Sequence, residues 1–95
     1  MSGYVLANVK WTSADARQAY VDLLGPSLDA HGGVVTAGTQ NVHVLEGDWQ
    51  ADGLMVLITF PTVEGALAWY NSEIYRPALE LRKTSASSRL LIFGD

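Results

Sequence analysis

Trp69, Ser72, Tyr75 and Arg82 are the residues whose types and spacing suit chemistry: two aromatic rings, a hydroxyl and a guanidinium within fourteen positions. Tyr75 and Arg82 stand two helical turns apart, so a phenol and a cation can converge on one anionic or carbonyl-bearing ligand. His43 is the second candidate, as the side chain that titrates near neutrality and therefore the best general base in the chain. The catalytic candidates are thus His43 and Tyr75, and the ligand-binding candidates are Trp69, Ser72, Tyr75 and Arg82.

Each has a plainer reading. Aromatic residues dominate core burial, so Trp69 and Tyr75 are also core candidates. Arg82 has Glu73, Glu80 or a partner subunit as possible ion-pair acceptors, or snorkels to solvent. A mid-strand histidine is commonly a hydrogen-bonded packing residue, and Ser72 is placed to cap the short helix that Pro77 begins. His31 sits at a helix C-terminus, where the dipole favours a positive charge. Glu46 and Asp48 flank a glycine near a turn and read as solvated surface.

No other chemistry has a foothold. The chain has no cysteine, which excludes disulfides and thiolate sites. His31 and His43 belong to no close group of ligands, so no metal is expected. Gly32-Gly33 lacks the further glycine and lysine of a phosphate loop, and no nucleophile elbow accompanies any serine. No cofactor is expected.

The elements that must hold these residues follow from periodicity. Leu54 to Phe60 is apolar on both sides apart from Thr59, so both faces of that strand must be covered. Thr62 caps a following helix with Glu64 in its first turn and Val63, Ala66, Leu67 and Tyr70 on its apolar stripe, with Trp69 on the flank. Tyr4 to Trp11 alternates as a first strand. A helix capped by Thr12 or Ser13 then carries Ala16, Ala19, Tyr20, Leu23, Leu24 and Leu28 on one stripe. Gly25-Pro26 is expected to kink or split it, and His31-Gly32-Gly33 to end it. Val34 to Gly47 reads as a strand interrupted at Gly38 to Asn41, whose second half places His43 and Leu45 on one face. After the Pro77 helix, with Tyr75, Ala78, Leu79 and Arg82 on one stripe, Arg89 to Phe93 is the last strand.

The order βαββαβ predicts a single α+β domain over residues 1–95, a ferredoxin-like sandwich with an antiparallel sheet and both helices on one face. The first and third strands are expected side by side and parallel in its centre. The other face is left bare although its third strand is apolar there, which predicts a homodimer through the open sheet face. Composition agrees: 48% of residues are hydrophobic and only 17% charged, against a usual charged share of about 25%. A net charge of -4 argues against nucleic acid or an anionic membrane as partner. With no apolar run of transmembrane length and no signal-like start, a cytoplasmic protein is expected.

Glu46-Gly47-Asp48-Trp49, Phe60-Pro61, Ala68-Trp69-Tyr70-Asn71-Ser72, Tyr75 and Leu81-Arg82, in this order, resemble the domain of unknown function 1330 (DUF1330) family of the dimeric α/β-barrel superfamily. The resemblance spans nearly the whole chain and implies a ferredoxin-like subunit that pairs as a dimeric α/β barrel, with no established activity. Where the family carries a basic residue soon after the Gly-Gly pair, this chain has Val34-Val35-Thr36. Where an acid often precedes the final glycine, it has Phe93. Some members of the superfamily bind haem, but the second helix here has no histidine for it.

The expected function is binding of a small, partly apolar or anionic molecule between sheet and helices. Two alternatives are a cofactor-free enzyme (isomerase, decarboxylase or monooxygenase-like) acting on a carbonyl or enol compound, and an interaction module without ligand.

Overall fold

The computed structural model of the chain describes residues 1–95. Its elements are β1 (Gly3–Trp11), α1 (Ala14–Asp29), β2 (Val34–Thr39), β3 (Leu54–Phe60), α2 (Val63–Tyr70), α3 (Arg76–Ser85) and β4 (Ala86–Gly94). The four strands form one sheet in the order β2-β3-β1-β4, the ferredoxin-like arrangement.

Every pairing is antiparallel, including β1 with β3, where Val5 stands opposite Ile58. This corrects the expected parallel central pair. The crossover from β1 through α1 leads to β2, and β3 folds back between those two strands, so it must run against both.

Alternation along the strands sorts the two faces. Val5, Ala7 and Val9 are buried with Ile58 and Phe60 beneath the helices, and Val56 packs against the same core. The intervening residues, Tyr4, Leu6 and Met55, Leu57, point to the opposite face and are half-buried, while Leu91 and Phe93 beside them are exposed. β2 is exposed throughout, and its register shifts between Val35 and Ala37, the bulge of an edge strand.

Ser13 caps α1 by accepting the Ala16 N–H at 3.1 Å. The helix runs through Pro26 as one element rather than splitting. Pro26 and Gly25 lie on its exposed side, where water can serve the carbonyl that Pro26 leaves without a donor. Gly32 closes it with φ of 74° and the Gly33 N–H reaches back to the Leu28 carbonyl at 2.9 Å, the wide bond of a glycine-terminated helix. His31 supports that end with Nδ1 at 3.1 Å from the Ser27 carbonyl.

Residues 41–50 are not a strand. Their apolar alternation is real, since Val42 and Val44 are half-buried and His43 and Leu45 exposed, but the segment lies over part of the open face instead, with His43 and Trp49 in a shallow hollow that also touches Leu6 and Met55. Asn8 holds it there. Its carboxamide is fully buried, donating to the Gln50 and Leu54 carbonyls at 3.1 Å each and accepting the Gln50 N–H at 2.6 Å. Gln50, whose N–H and carbonyl are both bonded to the Asn8 side chain, cannot also use them to extend the ladder. Lys10 and Asp52 add an exposed ion pair alongside.

Candidate functional site

α1 does not lie flat on the sheet. Only Ser27 and Leu28 of its residues are buried, and the N-terminal half stands off the strands, leaving a cavity of about 290 Å³. Ala7 and Val9 of β1, Val56 and Ile58 of β3 and Leu90 of β4 form its floor, and Tyr20 and Leu24 of α1 its roof. Trp69 closes one side, while Arg17, Val21 and Val35 stand at the exposed rim. Arg17 is the one charged residue in the lining, and no carboxylate pairs with it.

Trp69 arrives here because α2 is rotated from its expected orientation. The buried residues of α2 are Ala66 and Trp69, whereas Leu67 is 46% exposed. Thr62 fixes the start of the helix by accepting the Gly65 N–H at 2.9 Å. The larger ring wins the interior because it removes more apolar area from water than Leu67 would. The indole is fully buried, 4.1 Å from the Tyr75 ring and 5.5 Å from Phe60 between centroids, and donates Nε1–H to the Ser27 hydroxyl at 3.0 Å.

Ser72 makes the turn between α2 and α3. Its hydroxyl donates to the Trp69 carbonyl at 2.7 Å and accepts the Tyr75 N–H at 3.2 Å, so it holds the two aromatic residues at their mutual distance. Its accessible side faces a different, outward groove shared with Arg76 and Lys83.

The α3 stripe matches its expected form: Tyr75 and Ala78 are fully buried and Arg82 is 5% exposed. The Tyr75 hydroxyl lies 2.8 Å from the hydroxyl of Tyr20 on α1. Arg82 turns inward rather than pairing with Glu73 or Glu80, and donates Nη1–H to the Ser88 hydroxyl of β4 at 2.6 Å. Its Nε is buried without a partner. Burial works against the guanidinium charge, but the phenols of Tyr75, Tyr20 and Tyr70 beside it outweigh that and raise its pKa. Burial first, and the neighbouring Tyr75 second, push the Tyr20 phenol far above its ordinary value, so it stays protonated.

The structure thus packs Trp69, Tyr75 and Arg82 together with Tyr20, but of these only Tyr20 and Trp69 line the cavity, Tyr75 and Arg82 lying buried behind them, and it leaves two candidates apart. Ser72 lies behind Trp69, outside the cavity. His43, expected mid-strand in the sheet, is on the exposed 41–50 segment with Nε2 at 3.0 Å from the Asn41 side-chain oxygen. Tyr20 was legible only as one position of the α1 stripe, because its partner is 55 residues away. No group of His, Cys, Asp and Glu that would hold a metal ion occurs, and no helix is long and apolar enough to cross a membrane.

The family model described as Domain of unknown function (DUF1330) matches residues 2–94, so the chain belongs to that family. No curated protein matches it. Among solved structures, a protein of unknown function from Rhodopseudomonas palustris is 22% identical, with a TM-score of 0.77, 99% of this chain and 82% of that one being covered. A dimeric ferredoxin-like protein of unknown function from Thermobifida fusca is 14% identical, with a TM-score of 0.66 and coverage of 100% and 92%. SnoaB, a cofactor-independent oxygenase from Streptomyces nogalater, is 8% identical, with a TM-score of 0.61 and coverage of 99% and 92%. At these identities the likeness is one of fold.

Proposed function

We propose that this DUF1330 protein is a homodimer, paired through its open sheet face, that binds a small and largely apolar molecule with an anionic or carbonyl group in the cavity between α1 and the sheet. That cavity carries the reading. Its lining of 14 residues includes 12 hydrophobic ones, so it selects against polar solutes, and its volume is about twice the ~150 Å³ that accepts benzene in an engineered core. Space left unfilled in a small core lowers stability, and a chain of this length has little to spare. An occupant offsets that loss.

The cations supply the charge preference. Arg17 waits unpaired at the rim, and Arg82, behind the Tyr20 and Tyr75 phenols, gives the inner wall a positive potential. Trp69, itself fully buried between Tyr75 and Phe60, stiffens one side of the cavity from behind. Dimerisation rests on the half-buried Leu6 and Leu57 and the exposed Leu91 and Phe93, which share the uncovered face.

A cofactor-free enzyme on a carbonyl or enol compound is the second reading, favoured by the phenol pair and guanidinium beside the cavity, since such a cluster stabilises a developing oxyanion. Tyr75, hydrogen-bonded to Tyr20, would then handle the proton.

Native mass spectrometry of freshly purified protein against a denaturing run tests the main reading. The expected result is a dimer carrying a small mass that denaturation releases, and that the cavity-filling variant Leu24→Trp lacks. A monomer, or retention of the same small mass by Leu24→Trp, would sink it.

A further inference from the structure

The direction of the Tyr20–Tyr75 hydrogen bond follows from what each hydroxyl can reach. Tyr75 is fully buried, and the one acceptor its hydroxyl reaches is the Tyr20 hydroxyl at 2.8 Å, since the neighbouring Arg82 guanidinium can only donate. A hydroxyl carries one proton to give. If Tyr20 gave its proton to Tyr75, the Tyr75 proton would be buried with no acceptor, a costly state for a polar group in a core. Tyr75 therefore donates and Tyr20 accepts. The positively charged Arg82 beside both phenols turns the oxygen lone pairs toward itself and the protons away.

This leaves the proton of Tyr20 uncommitted. Tyr20 is the one lining residue with a hydroxyl, and the Trp69 N–H in the same wall is already given to Ser27. We infer that Tyr20 is the specificity-determining residue of the cavity, a one-way hydrogen-bond donor that selects apolar, ring-sized compounds bearing an oxygen acceptor without a proton, such as a ketone or an enolate, over the corresponding alcohol or hydrocarbon. The alcohol is disfavoured because, once its oxygen accepts from Tyr20, its own proton meets only apolar wall. The hydrocarbon leaves the Tyr20 proton unpaired.

The inference rests on the reading of this cavity as a ligand site, and the test separates the two. Backbone amide NMR titrations of the full chain with 1-tetralone, 1-tetralol and tetralin report both the place and the affinity of binding. The expected result is shifts at cavity residues for the ketone, with an affinity roughly ten-fold above that of tetralin, the scale of one hydrogen bond, and with the alcohol weaker than the ketone. Tyr20→Phe should lower the ketone to the hydrocarbon's level and leave tetralin unchanged. Tyr75→Phe removes the donor to the Tyr20 oxygen and leaves the Tyr20 proton as it was, so the ketone's advantage over tetralin should stand unchanged, whereas a gain in ketone affinity would mean that Tyr20 had been giving its proton to Tyr75 and would overturn its role. Equal binding of all three compounds in the cavity, or ketone affinity unmoved by Tyr20→Phe, overturns the role of Tyr20 and leaves the cavity standing as a site. Absence of cavity shifts with every compound overturns both.

Discussion

Asn8 and Gln50 exchange two hydrogen bonds: the Asn8 Oδ1 accepts the Gln50 N–H at 2.6 Å, and its Nδ2 donates to the Gln50 carbonyl at 3.1 Å. A strand side chain thereby imitates a neighbouring strand and holds the 41–50 segment across the sheet. Asn8→Ala removes three bonds and strands buried backbone groups. The expected loss is about 3 kcal/mol, read by urea denaturation, with amide exchange quickening in residues 41–53. A loss below about 0.5 kcal/mol would show that water replaces the clamp.

Ser27 receives the Trp69 N–H inside the core. Ser27→Ala leaves that donor buried and unpaired, and a destabilisation of about 1–3 kcal/mol is expected. Ser27→Thr, which keeps the oxygen, should recover part of it. If Ser27→Ala is neutral, the indole is not fixed by this bond.

The dimer prediction is carried by Leu57 and Leu91. Leu57→Asp and Leu91→Asp each place a charge in the centre of the uncovered face, and sedimentation should show folded monomers in place of a wild-type dimer. Val56 is unsuitable for this purpose, because it points to the helices and packs on the core. Both aspartate variants remaining dimeric would place the interface elsewhere.

Tyr20 links stability to alkaline pH. Its folded-state pKa is raised above the ordinary value of 10.0, so between that value and the folded one the native chain holds a proton that the unfolded chain has lost. Stability from this group is complete below pH 10 and declines above it, by about 1.4 kcal/mol per pH unit. Tyr20→Phe should flatten that decline between pH 10 and 11.5 in denaturation experiments. An equal slope in the variant would assign the alkaline loss to other groups.

Much of the fold was legible because it rests on local pattern. β3 announced itself by being apolar on both faces, and α3 by the spacing of Tyr75, Ala78 and Arg82. Strand direction was not, since periodicity is the same whichever way a strand runs. The rotation of α2 was missed because Leu67 and Tyr70 complete an apolar stripe that Trp69 then outcompetes. Val42 to Glu46 has a strand's alternation, and only Asn8, one amide among apolar strand residues, hinted that its neighbourhood was spoken for. In the site, Tyr75 and Arg82 could be read from one helix, whereas Tyr20 joins them through a contact that no local spacing encodes.

The placement of β1 also governs when the fold can exist. This strand is the earliest of the four along the chain, yet its two partners are β3 and β4, so Gly3 meets Phe60 on one side and Gly94 on the other. No tight hairpin joins any neighbouring pair, and even β2 and β3 are separated by the whole 40–53 connection. Such a sheet is built almost wholly from distant pairings, which makes its folding slower than that of a helical bundle of the same length. β1 has no partner until β3 is in place, and its second ladder waits for β4.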